Sequence, residues 1–305
     1  MDSSAPEPGA DDDLIGRLES GRREFLALVD PLRPQLHRYC ARMTGSIADG
    51  EDVVQETLAA AYYELSQMKS LPQLRPWLFR IAHNRAIDHW RREQMRQSEP
   101  LDAALEVADD ATREPDQALA RQQATRAAIS AFLALAPAQR ACVVLKDVLE
   151  QSLDEIALAL DMSVPAVKAA LHRGRVALGA GAAAGSAART PTSPQLQRYA
   201  SLFNARDWDG VRAQLAADVR VELVSRRKMA GSEAVTYFTN YQGVPGWRLS
   251  PAWLDGREVL AVRLGAAERP AYLIALHWRD GRVQTIRDYR YVPYIAAEAR
   301  FEPAD

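Results

Sequence analysis

The chain has 305 residues, enough for two or three domains, and 48% of them are apolar, which excludes disorder over most of its length. Its formal net charge of −2 conceals blocks of opposite sign: six arginines against Asp88 and Glu93 in residues 71–96, Lys168, Arg173, Arg175 and Arg189 with no acid in 163–189, and seven acids against Arg113 alone in 99–116. No stretch approaches the ~18 apolar residues of a membrane span, and the acidic N-terminus lacks the apolar core of a signal peptide, so a cytoplasmic protein without a membrane partner is expected.

Residues 1–13 are rich in Pro, Gly, Ser and Asp and are expected to be disordered. A helical pattern starts near Leu14 and continues through Phe25, Leu28, Leu32, Leu36, Tyr39 and Met43. A second helix is expected over Asp49–Leu65, and a third from the Pro72/Pro76 region to about Glu93, with proline tolerated in a first turn. Residues 95–115 are acidic and without period. Helices resume over Pro115–Leu135, Pro137–Leu149, Leu153–Leu160 and Val164–Leu178, and the small-residue stretch 179–194 is a linker. Cys40 and Cys142 lie in helical apolar patterns and read as buried thiols; no metal or cofactor site is expected.

The texture then changes to α+β. Helices are expected over Gln195–Ala205 and Trp208–Leu215, the second capped by Asp207, and over Ser232–Tyr241. Strands are expected over Val219–Val224, Trp247–Leu254, Val259–Leu264, Ala271–Trp278 and Arg282–Val292, with Asp280-Gly281 as a hairpin turn.

Two segments carry nucleic-acid chemistry. In Arg75–Arg92 arginines alternate with aromatics: guanidinium groups neutralise phosphates, and any exposed aromatic is a stacking platform. Trp77, Phe79, His83, His89 and Trp90 cannot all be exposed on one helix, and most read as core. Ser152–Arg175 reads as helix-turn-helix, with Asp161-Met162-Ser163 as the turn and Ser163 capping the second helix. Lys168, His172 and Arg175 fall on the side away from Val164, Val167, Leu171 and Leu178, the side that would enter a major groove; a solvated basic face is the alternative.

Glu51-Asp52-Val53-Val54-Gln55-Glu56-Thr57, then Trp77–Asn84, then Asp88–Arg92 resemble region 2 of an extracytoplasmic-function sigma factor. Leu135–Arg140 leading into the helix-turn-helix resembles its region 4. The resemblance implies region 2 over 14–94, an acidic linker over 95–124, region 4 over 125–180 and a linker over 181–193. It implies that core RNA polymerase and promoter DNA are partners. Asp52, Gln55 and Glu56 would dock on the polymerase. Met68, Lys69, Arg80, Asn84, Arg91 and Arg92 would open and hold the −10 element, where unstacking a base costs a few kcal/mol. Lys168, Ala169, His172, Arg173 and Arg175 would face the −35 element. Relatives often carry Thr-Val-Lys-Ser-Arg-Leu at the start of this helix, whereas this chain reads Ala166–Leu171 without that Ser and Arg, so their −35 sequence does not carry over. The acidic linker, about 20 residues if extended, reaches at most ~70 Å, which could join binding units about two turns of DNA apart.

Residues 194–305 are an addition to that pattern. Tyr199–Val224, with Phe203-Asn204-Ala205-Arg206-Asp207-Trp208, and Ile286–Tyr291 resemble the first and last parts of a SnoaL-like α+β cone. The family hosts enzymes and non-catalytic relatives, so fold alone gives no activity. Pocket candidates are Tyr237, Tyr241, Trp247, Trp253, His277, Asp288 and Tyr289; Asp288 between Arg287 and Arg290 reads as a paired structural carboxylate. The expected reading is a non-catalytic sigma factor whose C-terminal domain tunes its competence, with an anti-sigma factor or a small ligand of that domain left open as further partners. A related group with such tails carries Asp-Gly-Gly-Gly-Lys where this chain has Val224–Lys228. The rivals are a helix-turn-helix regulator that does not bind polymerase and an enzyme acting through the C-terminal domain.

Overall fold

The structure, a computed structural model, describes residues 8–98, 132–180, 191–242, 246–255, 257–267, 269–299 and 302–303. The acidic linker from 99 onward, the helix expected over Pro115–Leu135 as far as 131, and 181–190 of the second linker lie outside the described residues. The chain divides into two units, one taking residues 48–95 and 137–175 with the N-terminal helices, the other taking everything from Val176.

The first unit is all helical. Helix α1 (Pro8–Val29) opens six residues before the expected start at Leu14, which corrects the expectation of disorder over 8–13. A 3-10 turn (Asp30–Leu32) leads into α2 (Arg33–Thr44), followed by α3 (Ile47–Leu65) and α4 (Leu74–Ser98). Their apolar stripes meet in a core that includes Val29, Leu36, Tyr39, Met43, Val53, Val54, Leu58 and Leu78. Helix α5 (Pro137–Val143) widens into a π-turn (Val144–Val148). Helices α6 (Leu153–Leu160) and α7 (Val164–Ala180) follow. Arg140 of α5 is 1% exposed, and its Nη1 donates to the Met43 carbonyl at the C-terminal end of α2 at 2.6 Å, where the last carbonyls of a helix want donors. Cys40 and Cys142 are buried free thiols; burial pushes both thiol pKa values up, that of Cys142 to about 11, so neither is a ready nucleophile.

The second unit is α+β, as expected. Helices α8 (Pro194–Asn204) and α9 (Trp208–Ala213) are capped by Ser193 and Asp207. Seven strands form one sheet in the order β2-β1-β6-β5-β4-β3-β7: β1 (Leu215–Leu223), β2 (Arg227–Ala230), β3 (Trp247–Leu254), β4 (Arg257–Leu264), β5 (Tyr272–Arg279), β6 (Arg282–Asp288) and β7 (Glu302–Pro303). Only the β1–β6 pair is parallel among the described residues. The Asn204 amide bonds both backbone groups of Leu249 at 2.8 Å, fixing the end of α8 to β3.

Several bounds differ from expectation for local reasons. Strand β1 takes Leu215 from the expected helix, because Leu215 pairs with Val283 across the parallel ladder. Strand β2, unforeseen, forms because Ser225 turns the chain at φ 69° back onto β1. Strand β6 stops at Asp288 rather than Val292: the Asp288 carboxylate accepts the Arg290 backbone N–H at 2.9 Å, an Asx-type turn. The helix expected over Ser232–Tyr241 is three short pieces, α10 (Ser232–Val235), a 3-10 turn (Thr236–Phe238) and α11 (Thr239–Gln242). A short helix, α12 (Tyr294–Glu298), precedes β7.

Candidate nucleic-acid interface and a buried charged cluster

Helix α4 sorts its residues sharply by face. Trp77, Leu78 and Phe79 are buried, with the Tyr39 ring edge-on to Phe79 at 5.6 Å. The Tyr39 hydroxyl and His83 Nδ1 share a hydrogen bond at 2.8 Å, and burial lowers the His83 pKa to about 4, so the ring is neutral at physiological pH. These aromatics are structural, and Trp90 is half-buried. The opposite face exposes Arg80, Asn84, Arg85, Asp88, Arg91 and Arg92, a ladder at helical spacing. Its ion pairs are loose and solvated: Arg92 to Glu56 at 3.5 Å and Arg91 to Asp88 at 4.0 Å. Exposed pairs of this kind contribute about 0–1 kcal/mol, so a phosphate can replace either acid at little cost. Met68 and Lys69 are exposed on the turn that closes α3, where the Met68 N–H bonds the Leu65 carbonyl at 3.1 Å.

The acids of α3 divide in two. Glu51 is fully buried, accepting from Arg33 Nη2 at 3.4 Å and from the Gln55 amide, and so ties α3 to the start of α2. Gln55 therefore has an internal partner. Asp52 is half-buried and Glu56 exposed. The buried role of Glu51 was missed from sequence, since five acids over residues 46–66 look alike.

The helix-turn-helix is built by caps. Ser152 and Glu155 form a reciprocal capping box at the start of α6, and Asp161 ends that helix in the left-handed region at φ 52°. Ser163 caps α7 at 3.4 Å. Val167, Ala170 and Leu171 are buried, while Lys168, Ala169, His172 and Arg173 are exposed together. Arg175 departs from the expectation of a free DNA donor: both of its fork nitrogens engage the Asp147 carboxylate, Nε at 3.0 Å, which braces α7 against the π-turn.

In the C-terminal unit a polar cluster lies in the apolar core. Asp288, fully buried, accepts from the hydroxyls of Tyr237 at 2.9 Å and Tyr241 at 2.6 Å on one oxygen, and from the Arg290 backbone N–H on the other. Tyr241 and Tyr272 hydroxyls are 3.2 Å apart, and Tyr272 hydrogen-bonds the Arg290 guanidinium. Burial raises the Asp288 pKa, opposed by Tyr241 and Arg290; burial also pushes the Tyr272 pKa up to about 12 and those of Tyr237 and Tyr241 well up, so these hydroxyls remain donors. The Arg290 guanidinium carbon lies 4.6 Å from the Tyr241 ring centre and 4.8 Å from that of Trp247.

The pocket candidates are therefore partly corrected. Tyr237, Tyr241, Trp247 and Asp288 converge. His277 is exposed and outside the cluster, because on β5 the core takes Tyr272, Ile274, Leu276 and Trp278. Tyr289 is buried elsewhere, its ring 5.4 Å from the Arg287 guanidinium, and Arg287 pairs with Glu222 at 3.0 Å rather than with Asp288. Tyr272 and Arg290 were missed as cluster members: alternation places Tyr272 on the inner face with Ile274, and the turn after Asp288 brings Arg290 to it.

The Sigma-70 region 2 family profile matches residues 28–96, and the Sigma-70 region 4 profile matches 125–178. Similar proteins include the ECF RNA polymerase sigma factor SigG of Mycobacterium tuberculosis, 33% identical over 215 residues that cover 62% of this chain and 58% of SigG. The chain thus spans a little under three-fifths of that relative's length. SigW of Bacillus subtilis is 30% identical over 54% of this chain and 92% of its own. Among solved structures, Mycobacterium tuberculosis extracytoplasmic function sigma factor SigJ matches with a TM-score of 0.34 and 21% identity over 88% of this chain and 97% of its own.

Proposed function

The chain belongs to the extracytoplasmic-function sigma factors, and on that premise we propose that it binds core RNA polymerase, directs it to a subset of promoters and opens the −10 element. The observation that carries this reading is the exposed face of α4, where Arg80, Asn84, Arg91 and Arg92 stand clear of a core that has taken up the aromatics. Cations held by loose, solvated contacts suit phosphates, and an exposed amide suits a base edge. Met68 and Lys69 supply an exposed apolar and basic pair at the turn beyond α3. Lys168, Ala169, His172 and Arg173 are the residues assigned to the −35 element; alanine can still meet a thymine methyl there. Asp52 and Glu56 offer negative charge to a basic polymerase surface, with Gln55 beside them.

In this reading the protein acts in the cytoplasm and is not itself catalytic, and residues 194–305 tune its activity. The test is run-off transcription from genomic fragments with purified core polymerase, using the full chain, Asp52→Arg and a chain ending at residue 193. The full chain is expected to support transcripts. Asp52→Arg, in protein shown to remain folded by circular dichroism, is expected to lose at least roughly tenfold in yield, about 1.4 kcal/mol of docking or more. The shortened chain is expected to differ from the full one in yield or salt dependence; identical curves would remove the tuning role. No transcript from any fragment would leave a DNA-binding regulator that does not engage polymerase.

A further inference from the structure

The Arg290 guanidinium is half-engaged. Nε and Nη2 are both shielded from solvent and have no hydrogen-bond partner among the described residues. Those two nitrogens are the ones whose N–H bonds run parallel along one edge of the guanidinium plane, the edge that a carboxylate matches with its two oxygens. The acid beside it spends its hydrogen bonds elsewhere: one oxygen of Asp288 accepts from both Tyr237 and Tyr241, the other from the Arg290 backbone N–H. A third buried donor without a partner among the described residues, Trp247 Nε1, belongs to the ring that lies 4.8 Å from the same guanidinium. The unmet capacity is thus made of donors alone, at a place walled by Tyr241, Trp247 and Tyr272. Arg290 and Trp247 are half-buried, whereas the tyrosines and Asp288 are buried, so the unmet donors belong to the outer members of the cluster.

We propose that the Nε–Nη2 edge of Arg290, with Trp247 Nε1, is the binding site for a small organic carboxylate on a flat apolar body. The fork fixes the carboxylate, the indole N–H adds one directed donor, and the aromatic walls take the body. The site adds a ligand to the tuning role of residues 194–305 but does not depend on that role, because binding is read without polymerase or DNA.

The experiment titrates the full chain with benzoate, with benzamide as its neutral counterpart and with inorganic phosphate, following heat and the indole N–H resonances. Saturable benzoate binding is expected, shifting one indole resonance that is absent from Trp247→Phe. Benzamide and Arg290→Lys are each expected to bind at least roughly tenfold more weakly, because an amide lacks the second acceptor and an ammonium lacks the fork. Trp247→Phe keeps an aromatic wall and serves should Arg290→Lys fail to fold; its expected loss is about fivefold. Absence of saturable benzoate binding to the full chain would overturn the proposal. So would tighter binding of phosphate than of benzoate, or equal benzoate affinity in the full chain and Trp247→Phe.

Discussion

His83 links one proton to the stability of the helical unit. It shares a hydrogen bond with Tyr39, and burial holds its pKa at about 4, against ~6.5 in an unfolded chain. The unfolded chain therefore takes up the proton first. The stabilisation is complete above pH ~6.5 and is lost as pH falls from there towards 4, amounting to about 2 kcal/mol by pH 5. His83→Gln keeps an acceptor for Tyr39 and does not titrate, so its melting temperature should fall less than that of the parent between pH 7.5 and 5, by roughly 5 °C. Calorimetry at the two pH values checks this, and parallel losses in both proteins would mean that the ring titrates as a free imidazole. Single residues were the level at which the sequence was least legible. Nothing in residues 46–66 separates Glu51, which is sealed inside, from Asp52, which is not, because the distinction depends on Arg33 arriving from another helix. The cluster around Asp288 was legible in part: its aromatics and acid are conspicuous as types. Applying strand alternation to Tyr272 and His277 would have kept the first and excluded the second, whereas Tyr289 and Arg290 lie beyond the end of β6, where alternation no longer holds.

Helices and strands with a complete local signal were legible to the residue. The bounds of α6 follow from its capping box, and β3 was expected over the range it occupies. The Asp280-Gly281 hairpin holds the two positive φ angles, 51° and 70°, that such a turn requires. Strand β2, with Arg227, Lys228, Met229 and Ala230, has no apolar alternation and exists only because β1 offers it an edge. Contacts between elements were equally hidden. Gly50, in the first turns of α3, has no room for a side chain: a Cβ there would lie 2.6 Å from the backbone of Ala41 in α2. Alanine would gain about 1 kcal/mol in helix propensity. It would also force two backbones apart, an overpacking cost of about 1–3 kcal/mol. Gly50→Ala is thus expected to be destabilising despite the better helix former, by up to about 2 kcal/mol in urea unfolding. A more stable variant would show that α2 and α3 can separate freely at this crossing.

Across the whole helical unit, Arg140 sets a condition on promoter binding. Its buried guanidinium joins α5, the entry to the helix-turn-helix, to the last carbonyls of α2. The proposed −10 face lies on α4 and the proposed −35 face on α7, and promoter elements about two turns of DNA apart are some 70 Å from each other by the rise of B-DNA. Helices packed side by side stand about 10 Å apart. If those faces engage both elements at once, modules held together through a buried side chain could not span them, so the Arg140 contact is expected to open when promoter is engaged. Arg140→Ala removes a charged hydrogen bond and a buried stem, a loss of about 2–3 kcal/mol from the closed arrangement. The variant is expected to melt earlier and to show a larger radius of gyration in solution scattering. Its run-off yield with core polymerase should nevertheless stay near that of the parent, since on the proposed reading the interaction it lacks is one that the promoter complex does not keep. A loss of transcription as deep as that expected of Asp52→Arg, in a variant that still folds, would mean that α5 and α2 remain joined during initiation, and that the linker does not separate the two DNA-facing modules as proposed.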